Sequence, residues 1–160
     1  MADEQATVQK ESKPKGDGKA DLGKRFVAAL IDAAIAVVVG FIPIIGGIIS
    51  AAYWLLRDGM DFEFMKHRSI GKKVMKLQPV TLDGKPVDMV TSIKRNWMFA
   101  LGGVVQFLMF IPVVGWALIP VVGVISLILA IIEIILVLTD PEGRRMGDKI
   151  ANTKVIEVAE

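Results

Sequence analysis

Two carboxylates stand out by position. Asp32 is the one charged residue in the apolar stretch Phe26–Leu56, and Glu133 the one in Trp97–Leu138. An acid in such a stretch costs roughly 3 kcal/mol on insertion scales and marks a functional position by default. Asp32 lies seven residues past Arg25, and Glu133 seven before Asp140. At about 1.5 Å per residue, both sit roughly 10 Å inside their charged ends. Two acids at one depth are fit to share a proton or hold a monovalent cation, and Gln106 offers a further oxygen. Two other readings stay open. Arg25 can neutralise Asp32 as a structural pair, with Arg57, Lys94 and Arg95 available to other acids. Alternatively, the acids contact a partner's helix.

Other chemistry is scarce. There is no cysteine, so disulfides, thiolate nucleophiles and Cys-based metal sites are excluded. One histidine, His67, leaves almost no room for a Ser-His-Asp triad. It lies in Lys66-His67-Arg68-Ser69, which reads as a basic segment facing anionic lipid. Gly71-Lys72-Lys73 is a fragment of a phosphate loop, but the full motif is missing. These absences point away from an enzyme and from any cofactor or metal. A net charge of +2 argues against a nucleic-acid partner.

The elements that position the acids follow from the charge pattern. The chain is 53% hydrophobic with a mean hydropathy of +0.54, high for a soluble domain. Its apolar stretches carry an internal repeat at their centres, Phe41-Ile-Pro-Ile-Ile-Gly-Gly47 and Phe110-Ile-Pro-Val-Val-Gly-Trp116. Proline and glycine there break a helix. Each stretch is preceded by a basic pair, Lys24-Arg25 and Lys94-Arg95. The expected fold is therefore an all-α membrane protein of four transmembrane helices in two hairpins. The spans fall near 24–41, 46–65, 95–111 and 117–138. The first hairpin is short for a membrane crossing, so a re-entrant first hairpin competes. Each span carries a small-and-polar stripe, as Ala28, Asp32, Ala36 and Gly40 show on the first. Such stripes let helices pack closely, within the bundle or in a homo-oligomer. Trp54, Trp97 and Trp116 fall near span ends, where interfacial anchors lie.

All 19 Lys/Arg lie in the N-terminal, central and C-terminal polar segments, and the two tight turns carry none. The positive-inside rule then places both termini and the 66–94 loop in the cytoplasm. Residues 1–20 lack the apolar core of a signal peptide and read as a disordered polar tail. The remainder, 21–160, reads as one membrane domain. In the central loop, Asp83-Gly84 signals a β-hairpin, and Pro79 and Pro86 demote its strands. In the C-terminal segment 139–160, Asp140-Pro-Glu-Gly reads as a turn and Met146–Ala151 as one helical turn. Thr153–Val158 alternates and reads as a strand joining the hairpin, giving a small cytoplasmic β cap.

Three motifs in order resemble the RDD family of multi-spanning membrane proteins, named for one arginine and two aspartates. They are GKRFVAALID, SIGKKVMKLQPVTLDGKPV followed by IKRNWM, and TDPEGRRMGDKIANTKVIE. The resemblance covers roughly residues 22–157. It implies that Arg25, Asp32 and Asp148 are the signature residues, with Arg95 the arginine after the loop. Three positions depart from the family's habit: Gly147 where many members have His, Asn152 for a usual Gly, and Pro79 for an aliphatic residue. The resemblance implies one of two functions. One is a small cation/proton transporter, or a subunit of one, and the other a membrane scaffold or assembly factor that binds partner membrane proteins. Asp148 is expected outside the membrane, docking the C-terminal segment against Arg25 or Arg95. A bacterial or archaeal inner membrane fits the charge bias.

Overall fold

The computed structural model describes residues 19–42 and 45–158. The tail expected over 1–20 lies outside the described residues as far as residue 18. Its last two residues belong to the fold. Ala20 is buried with Ala28, Leu77 and Val155. Lys19 Nζ donates to Val137 O at 2.6 Å, near the end of the longest helix. A cation there satisfies carbonyls that the helix leaves without partners and matches the negative end of its dipole.

Helix α1, Leu22–Gly40, starts at Asp21, whose side chain accepts from Lys24 N at 2.8 Å. Helix α2 is Gly46–Leu56. A short helix α3, Ile70–Val74, is capped by Ser69. Strand β1, Leu77–Thr81, follows. Helix α4, Met89–Asn96, is capped by Asp88 and runs through a 3₁₀ turn, Trp97–Phe99, into α5, Ala100–Leu108. Helix α6 is Val114–Thr139. Helix α7, Met146–Ile150, and strand β2, Thr153–Glu157, close the chain.

The glycine common to both copies of the repeat makes the same contacts in each. Gly46 N donates to Ile42 O, and Gly115 N to Ile111 O, each at 3.0 Å. A Cβ on Gly46 would lie 2.3 Å from Val39 O, and one on Gly115 2.1 Å from Leu108 O. In both turns the glycine packs against the carbonyl seven residues earlier, so no side chain fits.

Among the described residues, α6 is the one helix both long and apolar enough to cross a membrane alone. Its 26 residues rise about 39 Å, beyond the roughly 30 Å hydrocarbon core. Helix α1 has 19 residues but includes Lys24, Arg25 and Asp32. The span expected over 46–65 is corrected: α2 stops at Leu56 after 11 residues, a rise of about 16 Å. The chain then turns at Arg57-Asp58-Gly59. Gly59 approaches α4 so closely that a Cβ would meet Asp88 O at 2.6 Å. The span expected over 95–111 is likewise split, since α4, which buries Ser92, Arg95 and Asn96, and a 3₁₀ turn precede a short apolar helix, α5.

The C-terminal strand joins the central loop as expected, but the hairpin it was expected to extend is reduced. Strands β1 and β2 pair antiparallel, Leu77 opposite Glu157 and Thr81 opposite Thr153. The hairpin through Asp83-Gly84 shrinks to one bridge, Val80 to Pro86. Proline has no N–H to extend that ladder. Pro79 is tolerated in β1 because the bonds Leu82 N to Asn152 O and Val158 N to Lys76 O put the even positions toward β2. The nitrogen of Pro79 therefore faces away from that ladder. Asn152 holds φ +51°, a left-handed conformation that glycine takes freely and asparagine tolerates.

Candidate functional site

The polar ends of the helices converge on one buried cluster of charges. Asp32, on the buried face of α1, is 1% exposed. Its Oδ1 accepts from Tyr53 Oη and from Gly71 N, each at 2.8 Å, and its Oδ2 accepts from Arg57 Nη1 at 2.8 Å. Gly71 makes that backbone bond possible, because a Cβ there would lie 2.0 Å from Ala28 O. Arg57 is 3% exposed, and its guanidinium stacks over Trp54 at 4.1 Å.

Asp58, next in sequence and fully buried, pairs with Lys72 and with Arg95 Nε at 3.1 Å, and accepts from Asn96 Nδ2 at 3.3 Å. Burial alone would push its carboxyl up. The charges of Lys72, Arg95 and Arg57 outweigh that and hold it well below the usual range. Arg95 then reaches a second acid, with Nη2 3.1 Å from Asp148 Oδ1. Asp148 also meets Arg25 Nη2 and Arg145 Nη2, each at 3.3 Å. Burial again opposes ionisation, and Arg145, Arg95 and Arg25 together overcome it. Asp148 also accepts from Arg145 N at 3.0 Å, which starts α7. Gly147 brings that helix onto α4: a Cβ there would lie 2.0 Å from Arg95 O. A histidine at 147 would not fit this packing.

Glu133, near the end of α6, accepts from Gly147 N at 3.3 Å and lies 3.8 Å from Arg145 Nε. The two acids expected to face one another thus have separate partners. Both line a cavity of about 350 Å³ between α1 and α6. Gln106 lines a larger groove of about 830 Å³, bounded by α1, α2, α5 and α6, into which Glu133 also reaches. The expected pair of Arg25 with Asp32 is corrected: Arg25 goes to Asp148, and Arg57 takes Asp32. The docking of Asp148 against Arg25 and Arg95 is present as expected. His67 lies 3.0 Å from Val87 O and 3.2 Å from Asp61. Gly71-Lys72-Lys73 opens α3 and binds Asp32 and Asp58.

The model of the RDD family matches residues 42–152. The chain belongs to the RDD family. No curated protein and no solved structure matches it. The matched region includes Asp58, Lys72, Arg95, Glu133, Arg145 and Asp148, whereas Arg25 and Asp32 precede it. In this RDD protein the two parts are joined through side chains, since Arg25 reaches Asp148 and Asp32 reaches Arg57. With the long apolar α6, family membership makes it a membrane protein.

Sequence reasoning missed Asp58, Lys72, Tyr53 and Arg145. Asp58 sits in an acidic run, Asp58-Gly-Met-Asp-Phe-Glu63, that reads as a solvated loop. The Asp-Gly pair straight after an apolar helix was the available signal for a turn that buries its own acid.

Proposed function

We propose that the chain is a non-catalytic membrane scaffold. Two helical hairpins sit in the membrane with both termini cytoplasmic, and they hold a partner membrane protein. The observation that carries this reading is the use of the acids. Asp32, Asp58 and Asp148 are all engaged in buried pairs that join α1, α2, α4 and α7. The pairs yield a fixed cytoplasmic face rather than carboxylates free to exchange an ion. The orientation is supported by the charge bias of the polar segments and by their meeting at one end of the helices. The partner surface includes the exposed apolar side of α4, where Val90 is 59% exposed. Val90 and Ile93 belong to none of the ion pairs.

The test is purification in mild detergent. A stoichiometric membrane protein should accompany the wild type and be lost from Val90→Glu/Ile93→Glu. Full cellular function in a chain that purifies only as its own homo-oligomer would refute the scaffold reading.

One observation favours a second reading, ion transport. Glu133 Oε2 is buried without a hydrogen-bond donor and adjoins the groove that holds Gln106. Transport predicts cation-dependent proton flux in proteoliposomes that Glu133→Gln abolishes. Absence of flux in oriented wild-type protein would remove it.

A further inference from the structure

The smaller cavity carries more positive charge than its own acids neutralise. Five cations line it: Arg25, Arg57, Lys72, Arg95 and Arg145. Two carboxylates, Asp32 and Glu133, line it with them, and Asp58 and Asp148 pair with the same cations from behind. Five basic side chains against four carboxylates give a formal excess of one positive charge in a buried cluster. An unmatched buried charge is costly, so the cluster favours one added anion. Arg57 also keeps an unused donor. It is 3% exposed, Asp32 holds its Nη1, and its Nε has no hydrogen-bond partner.

The walls tell what kind of anion. On either side of the cavity, Phe26 of α1 is 64% exposed, and Ile134 and Leu138 of α6 are 59% and 61% exposed. Such apolar walls exclude a soluble anion's hydration shell, whereas the acyl chains of a lipid lie against them as they lie against neighbouring tails. Basic pockets between membrane helices at the cytoplasmic side suit anionic lipid heads. Glu133 adds a requirement, because its Oε2 lacks a donor. A lipid head with free hydroxyls supplies one.

We infer that the cavity between α1 and α6 binds one phospholipid whose head is a singly charged phosphodiester bearing a hydroxyl. Arg57 and Arg145 face the phosphate, Glu133 accepts from the hydroxyl, and the acyl chains run along Phe26, Ile134 and Leu138. The same phosphate chemistry could arrive as a soluble ion, so the probes must separate the two sources.

Full-length protein, stripped of lipid in detergent, is offered phosphatidylglycerol, phosphatidylcholine or inorganic phosphate, and bound mass is read by native mass spectrometry. The expected result is one phosphatidylglycerol per chain, retained roughly tenfold better than phosphatidylcholine, as about 1.4 kcal/mol of selectivity gives. Millimolar inorganic phosphate should not displace it. Ala29→Trp fills the cavity from a wall residue outside the ion pairs and should abolish retention. If that variant does not fold, Ile134→Trp makes the same test from the opposite wall. Equal retention of the two lipids would overturn the inference, as would retention unchanged in the filled variant. Displacement by inorganic phosphate would overturn the lipid as the source of the anion.

Discussion

Replacing Asp148 with Asn removes one charge and almost no volume, and its effect can be worked from the geometry. Asp148 is fully buried and meets Arg25, Arg95 and Arg145. Breaking a buried pair by removing one partner costs about 3–5 kcal/mol, because the other charge stays buried. Arg95 retains Asp58 and Arg145 retains Glu133, so the lower end applies, about 3 kcal/mol. At 1.4 kcal/mol per tenfold, the C-terminal segment should open roughly 100-fold more often. Trypsin reads this directly, since Arg144, Arg145, Lys149 and Lys154 all lie in that segment. Cleavage follows the open population when reclosing outpaces cutting. Asp83→Asn, at an exposed turn, is the control. A rise of less than about threefold over that control, roughly 0.6 kcal/mol, would refute the lock.

The two repeat turns give a paired test. Gly46→Ala and Gly115→Ala each push a Cβ to within 2.3 Å of a backbone carbonyl, so both should sharply lower the yield of folded protein. Gly102→Ala has nothing within 4 Å and should leave that yield unchanged by size-exclusion chromatography. The pH dependence follows from Asp58 and Asp148, whose folded pKa values lie below the ordinary 3.8. Their contribution is fully present above about pH 4 and is lost as pH falls through the folded values. Trypsin-type sites should therefore stay protected from neutrality to about pH 4, and protection should fall at lower pH when probed with an acid-active protease. Asp32→Asn removes the carboxylate that Arg57 bonds and leaves it only the charge of Asp58, so thermal stability should fall by roughly 3 kcal/mol, the lower end for a broken buried pair. On the scaffold reading it does so without changing ion flux.

The hairpins, their turns and the one-turn helix at Met146 were legible because each rests on local chemistry. The repeat names its own breakers, and Asp140-Pro-Glu-Gly names its turn. The docking of Asp148 was legible because its motif places it just beyond a span, beside basic helix ends. The pairing of Arg25 was not. Seven residues along a helix put Arg25 and Asp32 on one face, yet that spacing says nothing about a second arginine arriving from α2. Asp32 takes Arg57 because α3 docks Gly71 onto α1 and closes its other side. Glu133 misled in a similar way. Equal depth is readable from sequence, but whether two side chains meet is set by how far apart α1 and α6 stand, and the cavity between them holds them apart.

Why the cluster uses charge rather than apolar packing follows from the solvent around the helices. Lipid tails are as apolar as leucine, so apolar faces give little preference for one helix arrangement over another. Buried pairs add little net stability, but they select partners and register. Arg95 makes that selection here, because its planar fork reaches Asp58 after α2 and Asp148 in α7 at once. Lysine carries the same charge on a single ammonium and cannot bridge both in that geometry. Arg95→Lys should therefore keep the helices while loosening one hairpin against the other. The native chain has no cysteine, so Ala33→Cys in α1 with Ala130→Cys in α6 gives a clean crosslinking pair across the larger groove. With Arg95 present, a thiol crosslinker matched to the groove should give one sharp optimum in length. With Arg95→Lys that optimum should broaden and total yield fall, while helix content by circular dichroism stays unchanged. An optimum that stays equally sharp would mean the apolar faces fix the hairpins after all, and the bridging role of Arg95 would be wrong.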